Sequence, residues 1–178
     1  ELKPDLIIAT NAGLDSDTYA KLAAIAPTVA QSGQDAFFEP WKDQATAIGQ
    51  AVFKAEEMKQ LIDGVDAKFT AAGKQYPSFS GRKVFLVNGA PTAAGVTVTP
   101  AGWRTEFLGQ LGLGTPSGLD QFVHGQHAFI PRDQMASVLD DADALIWTVD
   151  DDRQPAEIAA DPTVAQLNLA KTNRIVFP

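Results

Sequence analysis

The chain opens with ELKPDLII, residues 1–8, and this stretch says most about the fold. Pro4 interrupts any preceding helix, because proline lacks the amide proton and restricts the residue before it. The run that follows, residues 5–9, is short and almost continuously apolar, which is typical of a strand buried on both faces. The opening therefore predicts a proline break and then a strand of a sheet that helices cover on both sides.

Strand-like and helix-like segments alternate along the rest of the chain. Short apolar runs predict strands, and longer stretches with apolar residues at helical spacing predict helices, while residues 117–127 read as a polar loop. This alternation predicts an α/β fold with a parallel or mixed sheet. Strands are expected at residues 28–30, 84–87, 96–98, 144–147 and 174–177, and helices at residues 15–25, 102–111, 131–139, 155–160 and 162–170.

The longest segment without proline runs from Asp43 to about Ala72. Its apolar residues recur at helical spacing and predict one long helix that separates two lobes; the alternative is a helix split at Gly64. The predicted organisation is a partial N-terminal lobe (1–40), a long inter-lobe helix (41–76) and a C-terminal α/β lobe (77–178), with the first lobe incomplete. The apolar residues at helical spacing are Ile48, Val52, Ala55, Ile62 and Phe69.

Composition excludes several classes of function. The net charge is -8 with no basic run, so the chain lacks the positive stripe with which nucleic-acid binders neutralise phosphates. The absence of cysteine excludes thiolate catalysis, cysteine metal sites and disulfides. Hydrophobic residues make up 45% of the chain, which is enough for a packed core.

Several segments, taken in order, resemble the solute-binding proteins of iron-siderophore ABC importers, of the ferric-enterobactin-like type. They are residues 2–8, 22–29, 107–113 and 130–146, and the predicted long helix resembles the connector between the two lobes of that family. The resemblance implies a two-lobed binding protein, not an enzyme, in the periplasm or at the cell surface. It would carry no permanently bound cofactor and would deliver a ferric siderophore to a membrane permease.

The resemblance also has consequences for the chain ends and for docking. In that family the string at residues 2–8 lies well inside the first lobe, and the protein is anchored through a lipidated cysteine. This implies a fragment that lacks much of its N-terminal lobe, with a lipid anchor absent from these residues. The family docks on its permease through an acidic residue on each lobe, and the second-lobe position falls on Asp133. From the residues alone, Asp133 is an acid in the first turn of a helix, where the helix dipole favours it.

Ligands of open α/β sheets bind outside the carboxyl ends of the strands. Four predicted loops leave such ends: residues 10–13, 88–91, 99–104 and 147–152. A bulky, often anionic ferric siderophore needs a guanidinium for charge and flat rings for contact. Trp103 and Arg104 supply both side by side where a strand ends and a helix begins, so both are predicted to contact the ligand. The alternative is a core tryptophan beside a solvated arginine.

The remaining candidates for ligand contact are Asn88, Trp147, His124 and His127. Asn88 and Trp147 end predicted strands, although a turn role for the first and a core role for the second remain open. His124 and His127 lie three apart in a loop with a glycine, where they could touch a ligand, bind metal or bind haem iron. A third metal ligand is not evident from the sequence, so no metal site is expected.

Other functions stay open at this point. A haem importer would use a histidine, Tyr19 or Tyr76 as axial ligand, and an unrecognised α/β enzyme or a protein-interaction domain would also fit the composition. The enzyme alternative lacks a recognisable nucleophile motif and a glycine-rich phosphate loop. The acidic run at residues 150–152 lacks the glycine and glutamate of an EF-hand loop and is expected to be solvated.

Overall fold

The structure is a computed structural model that describes residues 2–33 and 39–178. The chain divides into one compact unit that ends at Lys68 and a second that begins at Phe69. The predicted α/β class, with parallel and mixed sheets, is confirmed. The assignment of residues 1–40, 41–76 and 77–178 to two lobes and a connector stays a prediction.

The first unit begins with a strand–helix–strand motif, as the opening sequence predicts. Strand β1 (Ile7–Ala9) pairs in parallel with β2 (Thr28–Ala30), and α1 (Ser16–Ala23) connects them. The Asp15 carboxylate accepts a hydrogen bond of 2.7 Å from the backbone N–H of Thr18, which caps the start of α1. The sequence predicts no regular element over residues 31–40, and residues 34–38 of that stretch lie outside the described residues.

The single helix predicted from Asp43 to Ala72 is wrong, because the segment forms two helices. Helix α2 (Trp41–Ala51) ends in a turn, and α3 (Ala55–Gln75) follows it. The break lies at Phe53, whose φ of 59° is left-handed, and not at Gly64. The N–H of Lys54 donates to the Gly49 carbonyl at 2.7 Å, which closes the end of α2 in a Schellman-type cap.

Two contacts show that α2 folds back along the first half of α3. The Lys42 ammonium lies 2.9 Å from the Asp66 carboxylate, which joins the start of α2 to the middle of α3. Near the turn, Gly49 lies so close to Met58 that a Cβ on the glycine would be 2.5 Å from the methionine Cβ. The missing side chain of Gly49 therefore permits the close approach of the two helices.

The second unit contains a six-stranded sheet in the order β5-β6-β4-β3-β7-β8. Strands β3, β7 and β8 are parallel, whereas β4 is antiparallel to both of its neighbours and β5 is antiparallel to β6. The polar loop expected at residues 117–127 in fact contains β5 and the start of β6, so that expectation is wrong. The strands are β3 (Val84–Asn88), β4 (Gly95–Thr99), β5 (Val123–His124), β6 (His127–Pro131), β7 (Ala144–Thr148) and β8 (Ile175–Val176).

One face of this sheet carries the core. Alternate residues of the central strands are buried, as the two-residue period of a strand requires, and short helices pack on them. These helices are α5 (Met135–Leu139), α6 (Gln154–Ala160) and α7 (Asn168–Lys171), whereas α4 (Glu106–Gln110) contributes no residue to this core cluster. Within residues 2–33 and 39–178, no helix combines the length and apolar character that crossing a membrane requires. The buried strand residues of this core face are Phe85, Val87, Val96, Val98, Ala128, Ile130, Leu145 and Trp147.

Candidate functional site

The strand directions of the second unit place the predicted ligand contacts at two opposite ends of the strands. Because β4 is antiparallel to β3, Thr99 at its end lies opposite Leu86, while Thr97 lies opposite Asn88. The chain from Thr99 to Arg104 therefore leaves the sheet at the end where the parallel strands begin. The expectation that all these loops share the carboxyl edge of parallel strands is wrong for residues 99–104.

A cavity of about 450 Å³ opens at that end of the sheet. It is formed by the chain after β4, the loop before β5 and the turn between β5 and β6. Among the lining residues only Arg104 and Asp120 are charged, and the others are apolar or neutral polar groups. The lining comprises Thr99, Pro100, Ala101, Gly102, Trp103, Arg104, Thr115, Pro116, Leu119, Asp120, Val123, Gly125 and Gln126.

Trp103 and Arg104 reach this cavity from a short 3-10 helix, Trp103–Thr105, that runs into α4. The buried Thr105 fixes the turn: its hydroxyl accepts from the N–H of Gly102 at 3.0 Å, and its own N–H donates to the Gly102 carbonyl at 3.0 Å. The Arg104 guanidinium lies 5.5 Å from the centre of the Trp103 ring. This cation–π arrangement places a positive charge and a flat ring together on one wall of the cavity.

The two histidines lie beside the same cavity. His124 ends β5 and His127 begins β6, and the two residues between them, Gly125 and Gln126, form a turn that lines the cavity. Gly125 has a φ of 64°, which a tight hairpin turn requires and glycine adopts easily. Both histidines are exposed. The described residues contain no cluster of three or more His, Cys, Asp or Glu side chains that could hold a metal.

Asn88 and Trp147 do not line this cavity. Trp147 is completely buried, its indole N–H donates to the Gly89 carbonyl at 2.8 Å, and its ring packs against Phe177. The expected ligand contact of Trp147 is therefore corrected to a core role, since no part of its side chain is accessible. The Asn88 amide is held within the sheet, where its nitrogen donates to the Thr99 hydroxyl at 2.9 Å.

Asp133 is exposed in the short 3-10 helix Arg132–Gln134 that follows β6. The side chain of the neighbouring Arg132 holds this turn in place through hydrogen bonds. The guanidinium of Arg132 donates to the Thr92 carbonyl at 2.8 Å and to the Asp161 carboxylate. The turn thus presents an acidic side chain on an anchored backbone.

The acidic run after β7 serves a local structural purpose. One oxygen of Asp151 accepts from the N–H of Arg153 at 2.8 Å and from that of Gln154 at 3.2 Å. The backbone hydrogen bond from Arg153, together with the bond from its side chain, holds the pKa of Asp151 below its usual value. These contacts give Asp151 a structural role in the turn that precedes α6.

Sequence reasoning missed the wall of the cavity formed by residues 115–120. Pro116 and Gly118 mark that stretch as a loop, but nothing in the sequence indicates that the loop lies beside Trp103. The buried side chain of Leu119 anchors the loop in the core. Knowledge of the strand order would have been needed to place Asp120 on the same cavity as Arg104.

Comparisons with known proteins identify the family to which the chain belongs. A sequence model described as "Periplasmic binding protein" matches residues 1–177. A periplasmic solute binding protein from Mycobacterium smegmatis is 56% identical, with a TM-score of 0.91. The alignment covers 99% of this chain and 59% of that chain, so the present chain spans about three fifths of its relative. No curated protein sequence matches.

More distant solved structures share the fold. PiaA from Streptococcus pneumoniae, solved in complex with ferrichrome, is 23% identical, with a TM-score of 0.74 over 98% of this chain and 59% of that chain. Staphylococcus aureus SirA, complexed with staphyloferrin B, is 23% identical, with a TM-score of 0.70 over 97% and 62%. The matched family and the M. smegmatis relative are both described as binding proteins, which confirms the expectation of a binding protein over an enzyme.

Proposed function

The chain belongs to the periplasmic binding protein family, and on this basis we propose that it is part of an extracytoplasmic solute-binding protein that captures a ferric siderophore for an ABC importer. The protein performs no chemistry on its cargo in this proposal. Its task is to hold the iron complex outside the cytoplasmic membrane and to present it to a permease.

The observation that carries the proposal is the wall formed by Trp103 and Arg104 on the cavity of the second unit. A ferric siderophore exposes flat chelating groups and, in many cases, negative charge. The guanidinium attracts the charge and donates planar hydrogen bonds, and the indole covers a flat chelating group. Apart from Asp120, the rest of the lining is apolar or neutral polar, as at Thr115 and Gln126.

Structural relatives support the choice of ligand class. PiaA was solved with ferrichrome and SirA with staphyloferrin B, and both share the fold of this chain over nearly its whole length. Those two ligands differ, so the relatives favour a siderophore in general and not one type. We extend the class, and not either compound, to the present chain.

The proposed partner is the permease of the importer, and Asp133 is the proposed docking residue of the second unit. The acid is exposed, and the hydrogen bonds of Arg132 fix the backbone beside it. A fixed surface carboxylate suits recognition by a basic pocket, because little conformational freedom is lost on docking. Attachment of the whole protein to the membrane through a lipid anchor is part of the same proposal.

A binding experiment with three probes tests the proposed ligand class. The whole protein of which this chain is proposed to be part is titrated with an anionic ferric tris-catecholate, a neutral ferric tris-hydroxamate and haemin, and tryptophan fluorescence is recorded. The proposal expects saturable quenching by a ferric siderophore, co-elution of its charge-transfer absorbance with the protein, and weaker binding of the iron-free form. Binding of haemin alone, with a Soret band, would replace the siderophore by haem. Binding of none of the three would contradict the proposal.

A further inference from the structure

The register of the β5–β6 hairpin brings the two histidines of the chain together. His124 and His127 are paired directly across the two strands. Residues that face each other in an antiparallel pair point to the same side of the sheet, with Cβ atoms about 4.5–5.5 Å apart. The tight turn at Gly125 and Gln126 fixes this register, because hairpin loops of two residues allow one pairing. The pairing register thus places the two imidazoles on the same side of one hairpin.

Both histidines are exposed residues, and the chain contains no other histidine and no cysteine. Imidazole nitrogen is a preferred ligand of divalent copper, nickel and zinc. Two such nitrogens on one support bind an ion as a chelate, because the second nitrogen acts at a high effective concentration once the first has bound. No third His, Cys, Asp or Glu joins the pair among the described residues.

We propose that His124 and His127 form a bis-imidazole site for one late first-row divalent metal ion, of which Cu²⁺ binds most tightly. The protein supplies two ligands, and water or an external donor fills the remaining positions. The site lies at the hairpin turn whose backbone lines the cavity beside Trp103. This ion is distinct from the iron of a siderophore, and its binding does not depend on the proposed function.

The test is a titration of the 178-residue chain, purified without a polyhistidine tag, with Cu²⁺, Ni²⁺ and Zn²⁺ salts alone. Calorimetry gives the stoichiometry and the affinity, and electron paramagnetic resonance of the Cu²⁺ form reports the number of bound nitrogens. We expect one ion per chain, an affinity that is highest for Cu²⁺, and a signal from two imidazole nitrogens. His124→Asn and His127→Asn should each weaken binding about a hundredfold, since either change removes the chelate.

A matched control keeps both imidazoles and changes only their register. Phe129 lies two positions after His127 on the same side of β6 and is 40% exposed. The exchange His127→Phe with Phe129→His preserves the composition but moves one ring a further 6–7 Å or so along the strand. We expect this variant to bind no better than the single substitutions, with an unchanged circular dichroism spectrum. Equal Cu²⁺ affinity in the wild type and in either single or exchange variant would overturn the proposed site.

Discussion

Asp161 accepts two hydrogen bonds from one guanidinium nitrogen of Arg132, at 2.8 Å and 2.6 Å. Both side chains are largely buried, and the same carboxylate also accepts from the N–H groups of Thr163 and Val164. Burial raises the pKa of Asp161, but the hydrogen bond from Arg132 and the two backbone bonds outweigh it, so the pKa lies below its usual value. The pair therefore ties the end of β6 to the turn after α6 as a charged contact.

Replacing Asp161 by asparagine should destabilise the fold by about 1.5–3 kcal/mol at neutral pH, because a charge-assisted hydrogen bond is lost. The folded pKa is below the unfolded value of about 3.9, so this stabilisation is present above that value and disappears as the pH falls through the folded pKa. Urea unfolding of the wild type and of Asp161→Asn should give curves that converge as the pH is lowered below about 4. A difference in free energy that does not change with pH would contradict this.

The second prediction concerns Phe53, which combines a φ of 59° with a side chain that is 94% exposed. A non-glycine residue in the left-handed region costs about 1–2 kcal/mol, part of which glycine recovers. Phe53→Gly should therefore raise the free energy of unfolding by about 0.5–1 kcal/mol. The control is Phe53→Ala, which removes the exposed ring but keeps the strain and should leave stability nearly unchanged. Equal stability of the glycine and alanine variants would show that the turn stores no strain.

Two helical glycines give opposite predictions for the same substitution. Gly49→Ala should destabilise by about 1–3 kcal/mol, because the new methyl would lie 2.5 Å from the Cβ of Met58 and push α2 and α3 apart. Gly64→Ala should stabilise by up to about 1 kcal/mol, because nothing lies within 4 Å and alanine is the better helix former. Thermal unfolding of both variants checks the pair. A destabilised Gly64→Ala together with a neutral Gly49→Ala would contradict the helix packing described here.

Local sequence patterns predicted the strands correctly where a short apolar run alone determines the element. The apolar run after Pro4 forms β1, and the buried runs that begin at Val84 and Ala144 form strands of the main sheet. The break between α2 and α3 could not be predicted, because its left-handed position is usually glycine and here is Phe53. The helical spacing continues across the break, so the periodicity gave no sign of the turn.

Only part of the candidate site could be predicted from the sequence, and the reason is a different one. Trp103 and Arg104 could be chosen because the two residue types fit the ligand, and the structure places both on one cavity. The rule about carboxyl ends failed because β4 is antiparallel to β3, the strand before it, so β4 ends where the parallel strands begin. The facing positions of His124 and His127 come from a local two-residue hairpin, which the assignment of residues 117–127 to a polar loop did not predict.

If the cavity beside Trp103 and Arg104 receives the ferric siderophore, as proposed, removal of the Arg104 guanidinium must weaken siderophore binding. Wild type, Arg104→Ala and Arg104→Lys are titrated with the anionic ferric tris-catecholate and with the neutral ferric tris-hydroxamate. Arg153→Ala serves as the control, because it removes an exposed guanidinium that is 83% accessible and does not line the cavity.

Arg104→Ala should weaken binding of the anionic complex about ten- to a hundredfold and affect the neutral complex less, and Arg104→Lys should restore only part of the loss. The control should bind both complexes like the wild type. If Arg104→Ala binds the anionic complex as tightly as the wild type does, the cavity is not the siderophore site.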